Sequence, residues 1–70
     1  MARQRPLVKA SRLLRARRFA EVISFLEPQV FLFRENSSFY YILGTACLYA
    51  GDFGGASSYL EGARHLNPSN

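Results

Sequence analysis

The stretch SSFYYILGTACLYAGDFGGASSYLEGARHLNP, residues 37–68, decides the fold. Asn36 or Ser37 opens it as an N-cap, a short polar side chain that accepts a bond from an orphan backbone N–H, and the helix it starts runs to about Ala50. Gly51 ends that helix, and Asp52 caps a second one from Phe53 to about Leu66. Within the second, Phe53, Ala56, Leu60 and Ala63 recur at three- and four-residue steps along one face, the period of a helix packed on one side. Asn67 and Pro68 close it, because proline disfavours the α region in the residue before it. These residues predict a helical hairpin.

Sliding the chain on itself until Leu14 falls on Leu48 extends the reading to the N-terminal half. In that register Ala16 falls on Ala50, Phe19 on Phe53, Ser24 on Ser58, Leu26 on Leu60, Glu27 on Glu61, Leu32 on Leu66 and Asn36 on Asn70, eight identities in all. Similar pairs lie between them, among them Val8 with Ile42, Ala10 with Gly44, Leu13 with Cys47 and Phe25 with Tyr59. A tandem repeat follows, about 3–36 and about 37–70 within one domain. The first repeat is expected as a helix from Pro6 to Arg17, a turn near Arg18, and a second helix from Phe19 to about Phe33. Pro28 lies inside that second helix. Either the helix continues with one backbone bond lost and a kink, or it stops near Glu27 and a new turn starts. The repeat register survives past Pro28 at Leu32 and Asn36, which favours the kinked helix.

The second repeat resembles the tetratricopeptide repeat, a 34-residue helix-turn-helix with the pattern W-x2-L-G-x2-Y, A-x3-F, then A and P. It carries Tyr40-x2-Leu43-Gly44-x2-Cys47, Gly51-Asp52-Phe53, Ala56-x3-Leu60-x2-Ala63 and Asn67-Pro68. Small residues at Gly44, Ala56 and Ala63 would let two helices approach, with Tyr40, Leu43, Phe53 and Leu60 filling the spaces between them. The first repeat is degenerate, with Pro6, Lys9 and Arg17 in place of the large aromatic, the Leu and the turn Gly. The resemblance implies an all-α fold of four helices, two antiparallel helical hairpins stacked as a short right-handed solenoid. It also implies a non-enzymatic scaffold that binds a protein or peptide in a groove lined by the first helix of each repeat. Carried over by position, that groove comprises Leu7, Ser11, Leu14 and Arg15 from the first repeat. The second supplies Ser38, Tyr41, Thr45, Leu48 and Tyr49, with Tyr41 and Tyr49 as anchors, since tyrosine offers large apolar area and a hydroxyl at low rotamer cost. The carboxylate clamp of one subfamily is not expected, because Ser11 and Ile42 stand where its asparagines would.

Charge is unevenly placed. Of nine Lys and Arg, seven lie between Arg3 and Arg18 (Arg3, Arg5, Lys9, Arg12, Arg15, Arg17 and Arg18), and no acid accompanies them. The net +4 therefore divides into +7 there and −3 over the rest of the chain, two bases against five acids. On a helix Arg5, Lys9 and Arg12 share one face, opposite Leu7, Ala10, Leu13 and Leu14. That basic face reads as a solvated outer surface of a terminal repeat, or as a docking site for an acidic protein or peptide. A membrane surface is disfavoured by the lack of Trp or Phe in the segment, nucleic acid by the lack of aromatics among its charges. A transit peptide shares this composition, but the repeat register begins inside the segment.

No cofactor or metal is expected. One cysteine allows no internal disulfide, and with the single histidine it makes no metal-ligand spacing. Cys47 is expected as a small buried apolar residue, His65 as a last-turn residue favoured by the helix dipole, and Glu27 and Glu61 as solvent-facing helix acids. The unpaired cysteine favours a reducing compartment and hence the cytoplasm. With 70 residues and no staples, the chain reads as a fragment or end cap of a longer repeat protein, or as one that self-associates through the uncapped C-terminal hairpin or the Val30 to Phe33 strip.

Overall fold

The hairpin turns set the architecture. In the computed structural model, which describes residues 5–67, Arg17 and Gly51 both take left-handed backbone, at φ 62° and φ 91°. Around the first, the N–H of Arg17 donates to Leu14 O at 3.0 Å and that of Arg18 to Leu13 O at 2.9 Å. Around the second, the N–H of Gly51 donates to Leu48 O at 3.2 Å and that of Asp52 to Cys47 O at 2.9 Å. Each pair is a Schellman closure, which satisfies the last carbonyls of a helix and reverses the chain. The two turns thus share one bonding pattern and one left-handed residue.

Among the described residues the elements are α1 (Arg5–Arg15), α2 (Phe19–Leu26), a 3-10 helix (Glu27–Leu32), α3 (Ser37–Ala50) and α4 (Phe53–Leu66), and no strand is present. The chain is all-helical. Arg3, Pro68 and Asn70 lie outside the described residues, as does the side chain of Arg5. Asn36 caps α3 by accepting from Phe39 N–H at 3.1 Å, and Asp52 caps α4 by accepting from Gly55 N–H at 3.0 Å. The kinked helix expected across Pro28 does not form. The last N–H of α2, on Glu27, bonds Ile23 O; Pro28 has no N–H to continue the ladder, and the chain tightens into the 3-10 turn. That turn swings Val30 and Phe33 back onto the core and delivers the Asn36 cap.

α3 is the central element, packed against α4 on one side and against α2 and α1 on the other. It contributes Phe39, Leu43, Ala46 and Cys47 at full burial, joined by Ala10, Val22, Leu26 and nearly buried Ile42 and Ala56. Full burial of a side chain the size of Phe39, Leu26 or Leu43 is worth about 1.5–3 kcal/mol each. The α3–α4 approach depends on Gly44, where an added Cβ would stand 2.7 Å from Leu60 Cγ and 3.1 Å from the Leu60 backbone nitrogen. Tyr40 is half-buried, edge-on to Phe39 at 5.7 Å and stacked on Tyr59 at 6.2 Å. Phe53 departs from the expected filler role. It is 67% exposed, at the first position of α4, although it shares a face with buried Ala56 and Ala63.

The first hairpin has a cation over a ring between its two helices. Lys9 occupies the place of Leu43, and its Nζ lies 4.7 Å over the ring of Phe25, the counterpart of Tyr59. Lys9 is exposed and its ammonium is held by the ring face, so a charged residue stands where the second hairpin has buried Leu43.

Candidate partner-binding groove

A groove of about 980 Å³ opens between three helices. α1 supplies one wall through Leu7, Val8, Ser11 and Leu14, and α3 the floor through Ser37, Ser38, Tyr41 and Ile42. α4 supplies the far wall through Leu60, Ala63, Arg64 and Asn67. The placement follows from helix periodicity: Leu7, Ser11 and Leu14 share one face of α1, and Ser38 and Tyr41 one face of α3. The lining mixes apolar side chains with hydroxyl and amide groups, and its single charged residue is Arg64. Tyr41 is 60% exposed at the floor, so its ring and hydroxyl are available to an occupant.

Of the residues assigned to the groove from the resemblance, Leu7, Ser11, Leu14, Ser38 and Tyr41 come together there, and Arg15, Thr45, Leu48 and Tyr49 are not among its lining residues. Thr45 and Leu48 lie further along α3, half-buried and exposed respectively. Tyr49 stacks on Phe19 with ring centroids 5.1 Å apart, so one of its faces belongs to the contact between α3 and α2. The α4 wall is not legible in the residues, because the resemblance assigns the groove to the first helix of each repeat alone. The one signal available is the four-residue step from Leu60 to Arg64, with Ala63 small beside it.

The basic face is less uniform than its sequence suggests. Arg12 is exposed, whereas Lys9 is engaged by Phe25 and borders a smaller cavity of about 380 Å³ between α1 and α2, beside Leu13, Ala20, Glu21 and Ser24. Arg18 pairs with Glu21 at 3.5 Å, but both side chains are more than half exposed, and such a pair contributes little.

Cys47 is fully buried in the core. Burial first, then the charges of Asp52 and Glu27, push its thiol above the ordinary value of 9.0, the opposite of what a nucleophile needs. Burial, followed by the Glu27 charge, likewise raises Tyr59. Glu27, Glu61 and His65 are exposed. Among the described residues no group of three or more His, Cys, Asp and Glu is placed to hold a metal ion, and no helix is long and apolar enough to cross a membrane. Neither a protein-family model, nor a curated protein, nor a solved structure matches this chain.

Proposed function

We propose that this chain is a non-enzymatic interaction module of the tetratricopeptide type, its two helical hairpins stacked as a short right-handed solenoid that binds a protein or peptide in the groove over α3. The observation that carries the reading is Tyr41, 60% exposed at the floor of a groove of about 980 Å³ whose walls are apolar with scattered hydroxyl and amide groups. Such a lining buries side chains of an extended or helical partner and satisfies its polar groups. The matching Schellman turns at Arg17 and Gly51, one repeat apart, support the repeat reading. The test is selection of peptides from a random displayed library on the immobilised protein. Selected peptides should lose about tenfold in affinity on Tyr41→Ala, the loss of a central aromatic anchor, and little on Arg12→Ala. Peptides that bind Tyr41→Ala as tightly as the native protein would place recognition elsewhere.

A second reading, docking of an acidic partner on α1, is favoured by exposed Arg12 and Arg15 on a helix that contains no acid. Binding of that kind weakens steeply with salt, whereas groove binding does not.

A further inference from the structure

α3 rests on the first hairpin through two aromatic stacks, Phe39 on Phe33 at 5.0 Å near its start and Tyr49 on Phe19 at 5.1 Å near its end. Between them Ala46 is wholly buried. Moving along the chain by one repeat carries Phe19 to Phe53, Leu26 to Leu60, Val30 to Arg64 and Phe33 to Asn67. Phe53 is 67% exposed, and Leu60, Arg64 and Asn67 line the open groove. α4 therefore carries the stripe by which α2 and the 3-10 turn hold α3, exposed at Phe53 and Arg64, with Leu60 half-buried against Gly44 and Asn67 half-buried beyond it. A helix running parallel to α3 fits this seat, with its last turn at Phe53 and its first turn at Arg64. The chemistry of the two ends differs, because the start of the seat is cationic and polar where the first hairpin has Val30 and Phe33.

We propose that the seat formed by α3 and α4 takes an α-helix of a partner protein that carries an acidic residue in its first turn and an aromatic ring ten residues later, the spacing of Phe39 and Tyr49. The acid pairs with Arg64 and suits the positive end of its own helix, and the ring stacks on Phe53 as Tyr49 stacks on Phe19. A small residue stands between them, where Ala46 does in α3. A second copy of this chain does not meet these needs. In its α1 the same register puts Arg5, Arg12 and Arg15 at the places of Phe39, Ala46 and Tyr49, setting like charge against Arg64 and bulk where the contact admits only a methyl group. The proposal deepens the groove reading and rests on it.

The probe is a helical peptide of α3's length, 14 residues, that keeps Ile42, Ala46 and Tyr49, places Glu at the position of Phe39 and has Ala and Gln elsewhere. A second peptide has Lys in place of that Glu. Fluorescence anisotropy on the full chain should give tighter binding of the Glu peptide by about fivefold, the scale of one exposed ion pair at a helix end. Arg64→Glu should reverse the preference, and Phe53→Ala should weaken both peptides; both positions are exposed, and far-UV circular dichroism checks that the variants fold. Equal binding of the two peptides, a preference unmoved by Arg64→Glu, or no binding of either overturns the proposal. If library-selected peptides still depend on Tyr41 in that event, the groove reading stands and only the helix seat falls. A concentration-dependent dimer that Phe53→Ala dissolves would put a second copy in the seat and overturn the proposal as well.

Discussion

Arg17 adopts φ 62° at the turn where its counterpart Gly51 adopts φ 91°. An L-residue in that region suffers a clash of its Cβ with the carbonyl, costing about 1–2 kcal/mol, whereas glycine does not. Arg17→Gly should therefore raise stability by about 0.5–1 kcal/mol after the greater unfolded-state freedom of glycine is subtracted, read as a higher urea midpoint. A midpoint unchanged or lowered would mean that the Arg17 side chain contributes a contact the turn needs. Glycines inside helices divide the same way. Gly54 has nothing within 4 Å of an added Cβ, so Gly54→Ala should stabilise by about 0.5–1 kcal/mol from helix propensity alone. Gly44→Ala has the same propensity gain, yet it should lower stability by about 1 kcal/mol, because its Cβ meets both the side chain and the backbone of Leu60. Equal effects of the two substitutions in thermal unfolding would sink the close-approach account of α3 and α4.

At the scale of elements, helix starts and stops are legible wherever one residue type forces the backbone. Asp52 and Gly51 read in place as the cap of α4 and the stop of α3, and of the two candidates Asn36 and Ser37 it is Asn36 that caps α3. Loss of a cap side chain leaves an N–H unpaired, so Asn36→Ala should cost about 1 kcal/mol, with Asn36→Asp near neutral; both are read by denaturant unfolding. Equal losses for Ala and Asp would remove capping as the reason. The region after Pro28 is not legible. A proline can kink a helix or end it, and the choice depends on whether packing beyond it offers enough to hold the weakened ladder. Here the chain turns at Glu27, Phe33 stacks on Phe39 and Val30 packs on the core.

Across the whole molecule, a radius of gyration of 11.0 Å equals that of a compact 70-residue globule, about 11 Å. The core that holds it is small and centred on α3, so single buried groups weigh heavily. Cys47 and Tyr59 are both shifted upward by burial first, with Glu27 adding to each. An acid whose folded value is raised above its unfolded one releases its proton more readily in the unfolded chain. Its contribution is complete below the ordinary thiol value of 9.0 and is lost as pH rises through the folded value. The urea midpoint should fall as the solution is taken above pH about 9, and Cys47→Ala should flatten the early part of that fall. A midpoint indifferent to alkali would show that neither group is desolvated. The seat on α4 belongs to this scale too, since Phe53 is exposed where its counterpart Phe19 is half-buried and stacked on Tyr49.

The residues by themselves determined the helical segments, the Gly51 stop and the Asp52 cap, because periodicity, capping chemistry and left-handed turns act within a few positions of the chain. Of the nine positions that the family resemblance implied for a groove, Leu7, Ser11, Leu14, Ser38 and Tyr41 line the one between α1, α3 and α4, and Arg15, Thr45, Leu48 and Tyr49 do not. Only the tertiary structure decided that Leu60 and Arg64 wall that groove, that Tyr49 turns one face to Phe19, and that Lys9 is held over Phe25. Those outcomes depend on how two helices cross and which ring fills which gap. The same local pattern fits several crossings, and the packing at Gly44, Phe33 and Phe39 selects one.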